Sequence, residues 1–219
     1  MEYVFVICSK ANCIEDTKAY KFIEKYSVYR DDCRFDFIGN NSEGLSINYN
    51  KIISKYASNT DDFIFIFMHD DVVIEDLYFF EKLEEGLKKY DIVGLAGTRQ
   101  WNLASPAVWN NCPREAMSGA VAHTANNEKW MTSFGNFGKA LLLDGLFLAV
   151  KASTLKKASL LFDDQFTFHL YDLDFCLQAY TKKLNLGTIP IWVTHHSVGD
   201  WRKDPTWVDM EKKFIAKWK

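Results

Sequence analysis

Three short clusters, His69-Asp70-Asp71, Asp172-Leu173-Asp174 and His195-His196, hold the residue types from which metal-assisted chemistry is built. Carboxylate oxygens and imidazole nitrogens are ligands that an Mn2+-like divalent ion accepts, with substrate phosphates completing its shell. A carboxylate standing apart from the ion is free to act as a general base. The first cluster ends residues 63–68, an unbroken apolar run rich in Phe and Ile, which reads as a strand buried on both faces. In open α/β sheets ligands bind outside the carboxyl ends of the strands, so that end is a candidate site. The plainer reading makes Asp70 and Asp71 caps of a following helix.

The other clusters carry the same ambiguity. Asp172 and Asp174 both flank the apolar stripe of a helix expected over residues 172–184, and period alone does not say which faces a site; both also suit a helix's first turn. His195 and His196 are adjacent at the end of a strand, so they point to opposite faces and one of them reaches the site.

The elements that position these clusters alternate. Strands are expected over residues 3–8, 34–38, 63–68, 92–96 and 187–194, and helices over 15–26, 46–56, 75–90, 153–162, 172–184 and 207–218. Helix 75–90 is drawn from the stripe Leu77, Phe80, Leu83 and Leu87. This order predicts an α/β fold with a mostly parallel central sheet, right-handed crossovers and flanking helices. Residues 97–139 break the pattern and read as a substrate-side excursion, with an extra edge hairpin as the alternative. The amphipathic segment 201–219 ends the chain, its helix presenting Trp207, Met210, Phe214 and Trp218 on one face. Such a helix packs on the domain or touches a membrane surface.

Composition narrows the class. With 219 residues, 48% hydrophobic and 16% aromatic, the chain is expected to form one domain over residues 1–219 with a large core. A net charge of −3 argues against a general nucleic-acid binder. Five cysteines without CxxC pairing fit reduced thiols. No run approaches the ~18 apolar residues of a membrane span, and the start MEYVFVICSK lacks signal-peptide features. A cytoplasmic protein is expected, with peripheral contact at the inner membrane face left open.

Five pieces in order resemble family 2 glycosyltransferases of GT-A fold: Gly44, Ser46 and Asn50; residues 63–71; Asp144-Gly145 through Val150; Asp172 through Leu177; and His195 through Gly199. The resemblance spans about residues 3 to 200 and is nearest to a branch whose metal motif reads His-x-Asp-Val. It implies a metal-dependent, inverting transfer from a nucleotide-diphosphate sugar to a saccharide or lipid-linked saccharide acceptor, in polysaccharide or glycoconjugate synthesis. By the same resemblance Asp71 binds Mn2+ or Mg2+, helped by His195 or His196. Asp172 is the general base, and Asp70 lines the sugar or ribose. Cys8, Ser9 and Asn40 fall where the family holds base and ribose, and Asn50, Asp144 and Gly145 are assigned to the donor site. The chain departs from the family in having His69 for the usual first Asp and Asn40-Asn41 for the acids after strand two. Trp101 and Trp109 are candidates for stacking on a sugar. Two rival classes remain, a catalytically silent binding module of the same fold and a metal-dependent phosphohydrolase built around His69-Asp70.

Overall fold

The computed structural model of the chain describes residues 1–27, 30–58, 62–197 and 204–219. Two sheets organise them. The larger runs in the order β2 (Cys33–Ile38), β1 (Glu2–Cys8), β3 (Phe63–His69), β11 (Phe147–Lys151), β5 (Ile92–Gly94), β12 (Leu186–Thr188) and β9 (Lys139–Ala140). The smaller runs β10 (Leu142–Leu143), β6 (Ala96–Thr98), β7 (Met117–Ala125), β13 (Val193–His195) and β4 (Val72–Ile74), with β8 (Glu128–Gly135) paired to β7. Helices α1 (Tyr20–Ser27), α2 (Leu45–Lys55), α3 (Phe79–Lys89), α4 (Ala152–Ala158), α5 (Tyr171–Thr181) and α6 (Pro205–Trp218) surround them.

The apolar run of β3 is continuous because it feeds two cores. Phe63, Phe65 and Phe67 pack with residues of α2, α4, α5 and α6 on one face. Ile64, Ile66 and Met68 pack with residues of α1, α3 and the smaller sheet on the other. None of the six is more than 2% exposed, and each such burial stabilises by roughly 2 kcal/mol. β1 follows the same period-two division, Val4 and Val6 to one core and Phe5 and Ile7 to the other.

Several expectations are corrected. The parallel pairings β1–β2, β1–β3 and β5–β12 are as expected, but β11 lies between β3 and β5 antiparallel to both, so the sheet is mixed. The segment after Asp71 is not a helix: Val72, Val73 and Ile74 form β4 and pair with β13. Helix α3 therefore begins only at Phe79, and Leu77 is 71% exposed rather than part of its buried stripe. Residues 187–194 are split, β12 joining one sheet and β13 the other, with Pro190, which lacks an amide proton, between them. Within 97–139 the edge-hairpin alternative is realised as β7–β8. The first helix is shorter than expected, a single 3-10 turn at Ile14–Asp16 preceding α1.

Helix α6 lays its apolar face on the core. Met210 and Phe214 are buried, and Trp207 and Trp218 pack against the same cluster. No described helix is long and apolar enough to cross a membrane. Residues 201–203, expected to begin this segment, and Gly199 of the fifth motif lie outside the described residues. All five cysteines are free.

The last turn of α6 holds α5. Lys217 Nζ lies 2.7 Å from both Asp163 and Asp174, and the Trp218 indole N–H donates to Asp174 at 2.7 Å. Asp174 is completely buried. Burial pushes its carboxyl pKa up, against the pull of Lys217 and Trp218. A raised carboxyl costs stability only above the unfolded-chain value near 4, so the penalty grows as pH rises through that region. Lys217→Met removes the compensating charge and is expected to destabilise by roughly 2 kcal/mol at pH 7.5, less than a fully buried pair because the ammonium is partly exposed. The loss should shrink at pH 4.5. Urea unfolding at both pH values checks this; equal losses would mean that only the packing of the lysine stem matters.

Candidate active site

The site forms where the chain crosses between sheets. β3 leaves the larger sheet at His69 and enters the smaller as β4 through Asp70-Asp71, while β10 passes back to β11 through Asp144-Gly145-Leu146. The antiparallel register Phe147 to Met68 sets these two crossings side by side, and the His69 N–H donates to the Leu146 carbonyl at 3.1 Å. The register His195 to Val72 brings β13 beside Asp71, with the His196 N–H donating to the Asp71 carbonyl at 2.9 Å.

His69, Asp71 and His195 each offer a ligand atom within 4.8 Å of the others. His195 Nε2 lies 3.3 Å from Asp71 Oδ1, yet the alignment makes no hydrogen bond and Oδ1 is buried without a partner. A buried acceptor left unpaired is costly. Two nitrogens and an unsatisfied carboxylate oxygen fit a divalent ion of Mn2+ type. Burial pushes the His69 pKa down and keeps its ring neutral near pH 7, as a ligand requires. His195 is raised, since the Asp71 carboxylate outweighs burial, and Asp71 is lowered, since the two imidazoles outweigh its own burial. The Tyr171 hydroxyl donates to the Gly145 carbonyl at 2.9 Å and lies 3.0 Å from His69 Nε2. With its proton committed, that hydroxyl accepts from Nε2–H, which leaves Nδ1 with its lone pair.

Asp172 stands at the other side of this contact. Its Oδ2 accepts from the Gly145 N–H at 2.8 Å and its Oδ1 from the Leu173 N–H at 2.9 Å. Burial, reinforced by the Asp144 carboxylate, pushes its pKa up to about 7 against those two bonds. The helix start that presents it is strained: Leu170 caps α5 in the left-handed region at φ 64° with no side-chain cap. Such a conformation costs about 1–3 kcal/mol. Burial of the leucine and the Asp174 N–H bond to its carbonyl at 2.9 Å hold it there.

His69, Asp71, Asp144, Asp172 and His195 line one cleft of about 480 Å3. Trp109, whose indole N–H donates to Asp144 at 3.1 Å, forms one wall, and Asp204 and Trp207 of α6 form another. A second cavity of equal volume, at the amino end of β3, is lined mostly by apolar side chains such as Tyr56, Phe63 and Leu155.

The remaining expected residues divide. Cys8, Ser9 and Asp70 adjoin the cleft without lining it: the Ser9 hydroxyl donates to Asp70, and burial pushes the Cys8 thiol up to about 12. Asn40 is exposed at φ 50°, its amide donating to Asn12 at 2.8 Å. Asn50 is placed elsewhere, tying α2 to the loop between α4 and α5 through the Phe162 carbonyl and Asp164, both at 2.8 Å. Of the two adjacent histidines, His195 reaches the cleft and His196 does not. His69, which the resemblance treats as a departure and not as a ligand, joins Asp71 and His195 in the cluster that could hold an ion. Trp101 is half buried in the core, its indole N–H donating to the Pro106 carbonyl at 2.9 Å.

A mixed sheet carrying an acid-imidazole cluster at its strand ends, faced by a carboxyl at a helix start, is the arrangement expected of a GT-A fold. A family model described as "Glycosyltransferase like family" matches residues 4–218, and the chain belongs to that family. Among solved structures, A197 from STIV is similar with a TM-score of 0.53 and 14% identity, over 90% of this chain and 86% of that one. GalNAc-T7, solved with UDP, GalNAc and Mn2+, is similar with a TM-score of 0.51 and 8% identity, over 90% of this chain but only 44% of that one. These likenesses concern the fold. No curated protein sequence matches.

Mn2+ is expected to bind the wild-type chain in isothermal titration, and His69→Ala and His195→Ala should each weaken it at least tenfold, since even outer-shell changes at metal sites cost 10–100-fold. His196→Ala should change it little. A loss confined to His196→Ala would put the ion on the opposite face of β13.

Proposed function

We propose that this chain is an inverting glycosyltransferase that moves a sugar from a nucleotide-diphosphate donor to a hydroxyl of a saccharide or lipid-linked saccharide acceptor. The reading treats residues 1–219 as one cytoplasmic transferase domain, with 97–139 on the acceptor side. One observation carries it: Asp172, with its carboxyl raised to about 7, shares a cleft with His69, Asp71 and His195. GalNAc-T7, a neighbour in fold, was solved with a nucleoside diphosphate, a sugar and Mn2+, which supports that donor class.

In this reading Asp172 accepts the proton of the acceptor hydroxyl as its oxygen bonds to the anomeric carbon. The bond from that carbon to the diphosphate breaks on the opposite face, with inversion. A carboxylate whose pKa lies near the working pH is suited to that role, since it is both ionised and basic enough to take a proton. The Gly145 and Leu173 amides hold it in place. His69, Asp71 and His195 would hold a divalent ion, which would supply Lewis-acid stabilisation of the charge growing on the leaving diphosphate.

Asp172→Asn is expected to lower the transfer rate at saturating donor by ~10²–10⁴-fold, the usual worth of a positioned base. Asp174→Asn should lower it mildly, because Asp174 faces α6 rather than the cleft. In the wild-type chain the rate should fall as pH drops below about 7, the side on which the base is protonated. Rates for both variants and a wild-type pH profile decide it; equal, mild losses, or a rate indifferent to pH between 5 and 8, would remove Asp172 as the base.

A further inference from the structure

One cross-strand row of rings leads out of the cleft. His195 pairs in register with His123 of β7, and His123 with Trp130 of β8. Residues directly opposite on adjacent strands share a face, and here the rings touch in turn. The His123 and His195 centroids are 5.7 Å apart, and Trp130 stacks on His123 at 5.4 Å and 15°. A second contact lies further along the same hairpin, where Phe134, at the β-bulge that shifts the β7–β8 register, packs on Trp109 at 5.1 Å. β8 is thus linked at two points to residues that line the cleft, through His123 to His195 and through Phe134 to Trp109.

Trp130 is 45% exposed. A lone exposed aromatic needs no explanation, but this one is stacked on an imidazole that itself touches the cleft residue His195, on a strand that pairs with only one neighbour among the described residues. The negative face of an indole attracts the weakly positive C–H groups on one side of a pyranose ring. The cleft itself, at about 480 Å3, is of the size that encloses one small ligand. Trp130 stands outside its lining, where a sugar unit beyond the reacting one would lie.

We propose that Trp130, stacked on His123, is a carbohydrate subsite that binds a pyranose unit of the acceptor one or more units from the attacked hydroxyl. The subsite rests on the transferase reading above and adds to it that the acceptor is an oligosaccharide rather than a single small alcohol. Its neighbour His123 keeps the indole in place from beneath.

The test measures binding as well as turnover. Neutral oligosaccharides of two to six pyranose units are titrated calorimetrically into the wild-type chain, Trp130→Ala and Trp130→Phe, with and without Mn2+ and a nucleoside diphosphate. Trp130→Ala should weaken binding of the preferred oligosaccharide about tenfold, the worth of one aromatic stacking contact, and Trp130→Phe should recover part of it. Donor affinity should stay unchanged, and the melting temperature should fall only by the small amount that loss of the stack on His123 costs. Unchanged oligosaccharide affinity in Trp130→Ala, or a loss of donor affinity instead, overturns the acceptor subsite. A wild-type chain that binds nucleoside diphosphate with Mn2+ but no oligosaccharide also overturns it while sparing the transferase reading. Failure to bind any nucleotide with any metal would overturn both.

Discussion

The Gly145 N–H donates to Asp172 while the Tyr171 hydroxyl donates back to the Gly145 carbonyl, and the cleft is built around this reciprocal pair. It requires the turn between β10 and β11 to lie flat on the first turn of α5. A Cβ at position 145 would sit 2.3 Å from the tyrosine oxygen and 2.9 Å from the Asp172 side chain, so only glycine allows it. From this contact the hydroxyl reaches on to His69. The carboxyl proposed as base and the imidazole proposed as ligand are therefore set by one backbone approach, and a change that lifts the turn would disturb both together.

The two sheets explain why the polar residues collect there. A chain that ran straight from β3 into a helix would leave Asp70 and Asp71 in solvent at a helix cap. Here it turns through them into a second sheet, and the crossings at 69–72 and 143–147 abut because β11 runs antiparallel to β3. The larger sheet supplies His69, the smaller supplies His195, and the crossings supply Asp71 and Asp144. No single element carries the site.

Much of this was legible in the chain, for physical reasons particular to each element. β3 was readable because burial on both faces leaves no polar interruption. β4 was not, since three residues carry no period and Leu77 mimicked the stripe of a helix that begins later. α5 is buried on nearly every side, so it has no polar stripe against which Asp172 and Asp174 could be told apart; only the contact of Asp174 with Lys217 and Trp218 separates them. The choice between His195 and His196 depended on β13 pairing with β4, a register that spacing in one strand cannot reveal. His69 reads as a departure from a familiar acid, and its place beside Asp71 and His195 depends on the turn at Asp70-Asp71, which strand spacing does not reveal.

The carboxyl of Asp172 has a consequence beyond chemistry. In the unfolded chain it ionises at its ordinary value near 4, whereas the fold holds its proton up to about 7. Between those values folding must take up a proton, and above them it must bury a charge, so this side chain draws stability down as pH rises through that window. A neutral replacement of the same shape would make the protein sturdier at neutral pH. A lineage or a laboratory screen that rewarded heat tolerance alone would drift toward losing this acid. With Asp172 as the proposed base, durability and competence are set against each other at one position, and hardiness in a relative of this chain is then no sign that it still works.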